Sequence, residues 1–288
     1  MSVLIRKYLE LTKPKIIYLL LITALGGLFI ASETLPKLWL SITVLAGGSL
    51  AAGGANAINH YLDRDIDKKM TRTSKRPVAS GAIKPIYALV FGISLNVFAF
   101  LILWKWGNFL SASLTLSATL FYVFIYTMIL KRRTPQNIVI GGAAGSIPPV
   151  VGWAAVNGTI MAPEPFLLFA LIFFWTPPHF WALSLILKDD YEEAGVPMLP
   201  VVAGIEPTKK QIFAYTWILL VITVLLTVFS KALGLIYGIT SIALTIGFIV
   251  MAWRLMNTEN ITFAKPTYLY SLAYLALLFL LIMVDSYV

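Results

Sequence analysis

The stretch "LWLSITVLAGGSLAAGGANAI" (residues 38–58), running directly into "NHYLDRDIDKKMTRTSKRP" (59–77), decides the fold. The first part carries no charge and matches the about 17 to 25 apolar residues that a helix needs to cross a bilayer core. The second turns abruptly to acids and then to bases, as a chain does on leaving the hydrocarbon for a polar surface. The same alternation recurs along the chain, with apolar runs at 16–32, 38–58, 86–104, 108–130, 136–156, 164–187, 211–230, 232–252 and 267–285. Hydrophobic residues make up 59% of the 288 and charged residues 12%, with a mean hydropathy of +0.85. A soluble chain would be charged at about one position in four. The sequence therefore predicts an all-α polytopic membrane protein, with nine transmembrane helices around a central cavity. No linker divides it, so residues 1–288 read as one domain.

Charge placement predicts orientation. Nineteen of the 22 Lys and Arg residues fall on the side holding the N-terminus, the exceptions being Lys37, Lys105 and Lys231. Basic loops stay in the cytoplasm, so the N-terminus and the polar loops are expected there and the C-terminus outside, in a plasma membrane. The net charge of +9 is then topology, and nucleic acid is not an expected partner. The opening "MSVLIRKYLELTKPK" has no separate apolar core or small-residue cleavage site and is not read as a signal peptide. Without a cysteine, disulfides, thiolate metal sites and cysteine nucleophiles are excluded.

Two polar insertions, 59–85 and 188–210, interrupt the cytoplasmic side, four spans apart, and each opens on acids. In the first, Asn59, Asp63 and Asp67 recur every fourth residue and share one helix face, while Asp65 points away from it. Two carboxylates one turn apart, with an amide oxygen a turn deeper, form a hard-oxygen surface suited to Mg²⁺, which favours a substrate bringing its own phosphate oxygens. Lys68, Lys69, Arg72, Lys75 and Arg76 follow, and such cations hold a diphosphate. Juxtamembrane charge can also be a solvated face of weak ion pairs. Polar Asn56, Asn59 and His60, so close to a span, argue against that reading. In the second insertion, "LKDDYEEAGVPMLPV" (187–201), Asp189 and Glu193 repeat the four-residue spacing with Asp190 between them. Facing the first motif across a cavity, they would complete a two-sided clamp.

The motif "NHYLDRDID" resembles the NxxxDxxxD signature of the UbiA-type intramembrane prenyltransferases. With "LTKPK" (11–15), "LKRRTPQNIVIGGAAGSIPPVVGW" (130–153), "WTPPHFWAL" (175–183) and "DYEEAGVPMLPV" (190–201), the set is similar to the branch that farnesylates haem. The likeness runs from the N-terminus to about residue 205; the last three spans match in hydropathy alone. It implies transfer of farnesyl from farnesyl diphosphate to a vinyl group of haem B, with water addition, giving haem O. It also implies that product passes to a haem A synthase or a terminal oxidase under assembly. By resemblance, Asn59, Asp63 and Asp67 bind Mg²⁺–diphosphate, and Asp190 matches the branch's second-loop acid. Many superfamily members carry DxxxD in that loop, where this chain has Asp189 and Glu193, so the metal ligand among Asp189, Asp190 and Glu193 stays open.

Ionising an allylic C–O bond requires cations aimed at the leaving diphosphate, a role assigned to Arg72, Arg76, Lys131 and Arg132. Catalysis is expected to depend on Asp63, Asp67, Asp190 and Lys131. Tyr122, Tyr126, Phe174 and Trp175 are candidates to shield the allylic cation. Of the two histidines, His60 would support a carboxylate or phosphate. His179 follows two prolines in the sixth span and is either an axial haem ligand or bonded to a carbonyl freed by the kink. Gly141 and Gly145 pack helices closely or leave room for an isoprenoid chain. Two other readings share parts of this pattern. A quinone-precursor or pigment acceptor would use the same diphosphate chemistry, and a secondary transporter would need acids deep in the spans, where Asp285 is the exception.

Overall fold

A computed structural model describes residues 3–287. Helix α1 (Val3–Thr12) meets α2 (Pro14–Ile30) at a 47° bend. Then come α3 (Leu38–Leu62), the short α4 (Arg64–Lys69), α5 (Pro85–Trp106), and α6 (Phe109–Leu120), which runs on as a π-helix (Phe121–Leu130). Next are α7 (Asn137–Asn157), α8 (Pro163–Ile186), the short α9 (Lys188–Glu193) and α10 (Leu199–Val202), α11 (Ile205–Phe229), α12 (Leu235–Met256) and α13 (Ala264–Asp285). Among the described residues, eight helices are long and apolar enough to cross a membrane alone, and the bent α1–α2 pair, taken as one span, makes nine. All nine expected spans are present, most with edges within a few residues of the apolar runs.

Local chemistry sets the boundaries. Proline occupies the first turn of α2, α5 and α8, where its missing N–H costs nothing. Asn108 accepts from Ser111 N at 2.8 Å to start α6, and Gly158, at φ 65°, ends α7 in the left-handed region. Many threonine and serine hydroxyls within spans donate to their own helix, as where Thr176 donates to Ile172 O at 2.8 Å.

The helices close into a ring in which α13 packs back onto α2. Helices α7 and α8 form its hub: 61% and 56% of their spanning windows are buried, against 22% for residues 109–130. A Cβ on Gly152 would strike the Ala24 carbonyl, and one on Gly27 the Pro149 carbonyl, so these glycines let α2 and α7 touch through their backbones. Outward-facing Leu101, Phe124, Val221 and Ile239 are exposed in the isolated chain, as lipid-contacting residues are. Asp285, an acid near the far end of α13, accepts from Gly234 N at 2.5 Å. Its charge therefore lies against the α12 N-terminus, where the helix dipole favours it.

Candidate active site

The backbone stays helical through the α3–α4 junction: Asp63 N donates to Asn59 O at 2.9 Å and Asp67 N to Asp63 O at 2.8 Å. The four-residue spacing thus survives, and Asn59, Asp63 and Asp67 are all buried while Asp65 is exposed. Asn59 Nδ2 donates to Asp63 Oδ2 at 2.7 Å and is shared with Thr127 Oγ1 at 3.3 Å. Burying carboxylates is costly unless cations accompany them, and here each has one. Lys131 Nζ pairs with Asp63 Oδ2. Arg76 Nη1 reaches both oxygens of Asp67, at 2.7 and 2.9 Å.

Lys13 belongs to the same cluster, its Nζ donating to Asn59 Oδ1 at 2.9 Å. It is the one non-glycine residue with positive φ (51°) among those described, a conformation that costs about 1–3 kcal/mol unless its surroundings hold it. The hold is visible: Asn56 Nδ2 donates to Thr12 O at 3.0 Å, fixing the end of α1 against α3. The motif "LTKPK" alone assigns Lys13 no role. The available signal was a lysine between a helix end and a proline, opposite two span asparagines.

The π-helix delivers the third side of the site. Lys131 N bonds back to Tyr126 O at 2.9 Å and Thr127 Oγ1 to Tyr122 O at 2.9 Å, both five residues earlier. Such segments are rare and cluster at functional sites. Tyr122 and Tyr126 stack at 5.4 Å along it, both within reach of the Asp63 charge. Arg132 turns outward, bidentate on Asp65 at 2.7 Å per bond, with Nη2 3.8 Å from Asp63 Oδ1. Its guanidinium holds the Asp65 carboxyl down to about 2, below the usual carboxylate range.

The second loop reaches the first through one acid. Asp190 Oδ2 accepts from Arg72 N at 3.4 Å, and Tyr191 is buried with Ile66, Met70 and Ile138. Burial raises the Tyr191 hydroxyl pKa above its ordinary value, partly offset by Arg72. Asp189 and Glu193 are exposed. Among the described residues, no three of the His, Asp and Glu side chains converge as a metal site, so the six expected ligands are not gathered at one point. The first loop nonetheless suits a hard cation, because Asp63 Oδ1 is buried without a hydrogen-bond partner. His60 is buried with neither ring nitrogen bonded, so it supports no carboxylate here.

Deeper in the bundle, His179 is buried on α8 and its Nδ1 lies 2.7 Å from Ser271 Oγ on α13. It bonds a hydroxyl, not a kink-freed carbonyl. Trp175 stacks on one face at 4.3 Å and Tyr268 also stacks on the ring at 4.9 Å. Phe174 instead packs toward Tyr215 at 5.9 Å. The two α7 glycines divide the expected roles: a Cβ on Gly141 would collide with Tyr126, whereas one on Gly145 would meet open space.

The UbiA prenyltransferase family model matches residues 20–278. A protoheme IX farnesyltransferase of Nostoc sp. is 50% identical, over 98% of this chain and 89% of that protein. One from Synechocystis sp. is 47% identical over 99% of this chain and 90% of the relative. Among solved structures, a digeranylgeranylglyceryl phosphate synthase superposes with TM-score 0.78 at 20% identity, covering 98% of each chain. A UbiA homologue from Archaeoglobus fulgidus bound to GPP and Mg²⁺ gives 0.74 at 18% identity, over 96% of this chain and 99% of that one.

Proposed function

The chain belongs to the UbiA prenyltransferase family, and on that premise we propose that it transfers farnesyl from farnesyl diphosphate to a vinyl group of haem B. The products are haem O and diphosphate. The relatives with about half their residues in common are protoheme IX farnesyltransferases, which supports the acceptor. The observation that carries the chemistry is the buried pair Asp63 and Asp67, each clasped by a cation, at the membrane edge of the ring.

The residues divide the work by charge. Asp63, Asp67 and Asn59, with Asp190 from the second loop, would hold Mg²⁺, which supplies neutralising charge to a diphosphate. Lys13, Arg76 and Lys131 face the same point and stabilise the leaving diphosphate oxygens as the allylic C–O bond breaks; Arg72 approaches from the first loop, beside Asp190 of the second, and Arg132 from the rim. Tyr122 and Tyr126 line the path of the allylic cation and keep water from capturing it. The space beside Gly145 takes the isoprenoid chain. The farnesyl C1 bonds to the terminal vinyl carbon, and the cation left beside the porphyrin takes hydroxide from water, releasing a proton. His179, between Trp175 and Tyr268, faces the haem iron.

The chain works in a plasma membrane as one unit over residues 1–288, with its acidic loops cytoplasmic, and hands its product to a haem A synthase or an oxidase under assembly. Purified protein given haem B, farnesyl diphosphate and Mg²⁺ should yield haem O by mass spectrometry. Asp63→Asn should lower the rate by about 10² to 10³. Diphosphate release with an aromatic acceptor, and no haem O, would sink the haem reading while leaving prenyl transfer intact.

A further inference from the structure

We infer that Ser271, on α13, is a positioning residue that fixes the tautomer of His179 and so leaves Nε2 as the bare nitrogen offered to haem iron. The argument is a proton count. A serine hydroxyl has one proton to give, and Ser271 Oγ lies 2.6 Å from Tyr268 O, a carbonyl that can only accept. The hydroxyl proton is therefore committed to Tyr268. The 2.7 Å contact between Ser271 Oγ and His179 Nδ1 must then run the other way, with Nδ1–H donating. A neutral imidazole carries one N–H, so Nε2 keeps its lone pair.

Ring orientation is fixed as firmly as the proton. Trp175 stacks on His179 with planes 17° apart and Tyr268 with planes 28° apart, while Phe180 meets the ring edge-on at 5.3 Å. Trp175 Nε1 in turn donates to Ser271 O at 2.9 Å, so the serine is held by the same aromatic group that it orients. Imidazoles that ligate metals are set this way, through the N–H opposite the ligating nitrogen, and losing such a partner costs about 10- to 100-fold in affinity. Ser271 and Tyr268 belong to the last span, where sequence motifs gave no sign of the site.

The inference rests on the haem-facing reading of His179, and its test keeps the two apart. The chain has two histidines, so ¹⁵N-histidine labelling in lipid nanodiscs gives two ring signatures, and His179→Ala identifies the relevant one. Without haem, wild type should show His179 protonated at Nδ1. Ser271→Ala should show a mixture of tautomers, and Ser271→Thr, which keeps the hydroxyl, should restore the wild-type pattern. Haem B titrated into the same samples should bind about 10- to 100-fold more weakly to Ser271→Ala than to wild type, with Ser271→Thr close to wild type. A wild-type ring protonated at Nε2, or a tautomer indifferent to Ser271→Ala, overturns the inference. If the tautomer depends on Ser271 but His179→Ala binds haem with an unchanged absorption spectrum, the iron-ligand reading falls and the positioning of the ring stands.

Discussion

Asp63 and Lys131 show how a charge can be kept at a membrane edge. Asp63 is fully buried, so removing its partner leaves a carboxylate in a poorly solvating site, a change that costs about 3–5 kcal/mol elsewhere. Lys131→Met should therefore lower the unfolding temperature in detergent more than Asp63→Asn does, with Arg132 at 3.8 Å offsetting part of the loss. The double variant should regain most of that stability yet stay inactive, because the pair serves catalysis and not folding. If the double variant were no more stable than Lys131→Met, the two charges would not be coupled. Asp65 makes the opposite case. It is exposed, and Arg132 lowers its carboxyl from an ordinary 3.8 to about 2. A depressed folded-state value means stabilisation that is complete above about pH 4 and disappears as pH falls toward 2. For a surface pair the amount is under about 1 kcal/mol. The difference in unfolding temperature between wild type and Asp65→Asn should therefore be small at pH 6 and shrink on acidification; a difference that grew would contradict the pairing with Arg132.

Three elements give the site its shape, and they differ in how far the sequence betrayed them. The α3–α4 junction was legible: regular spacing of Asn59, Asp63 and Asp67 survives because the backbone bonds stay i→i−4 across the break. The π-helix was not. "FYVFIYTMIL" has the composition of any lipid-facing span, and no pattern in it marks the i→i−5 bonds or the close approach of Tyr126 to Gly141. The α1–α2 bend was half visible, since Pro14 marks a break but nothing marks the left-handed Lys13. Nor does any local pattern reveal that Asn56 reaches back 44 residues to Thr12 O. That bond is the prediction at this scale. Asn56→Ala leaves a carbonyl unpartnered near the hydrocarbon, at a cost of about 1–3 kcal/mol. It also frees Lys13 to leave its strained conformation. Amide exchange over residues 3–16 should accelerate, and KM for farnesyl diphosphate should rise more than kcat falls. Unchanged exchange in that segment would mean the proline alone holds the bend.

For the whole molecule, the ring of helices was legible because a span needs length and apolarity, which the chain states openly in run after run. The closure of α13 on α2, and the contribution of α13 to the His179 environment, were hidden because hydropathy carries no information about which spans are neighbours. The expected sidedness rests on charge and not on the fold. Nineteen of 22 basic residues lie on one side, and insertion retains such loops in the cytoplasm. The two acidic loops share that side, so the expected orientation turns the diphosphate chemistry toward the cytoplasm. The natural lack of cysteine makes the test clean. Lys231 and Lys265 are both exposed and flank α12 at opposite ends. In intact cells a membrane-impermeant maleimide should label Lys231→Cys at once, and Lys265→Cys only after permeabilisation. The reverse order would turn the molecule over, place Asp63 and Asp190 on the outer face, and require the donor to cross the membrane before it could react.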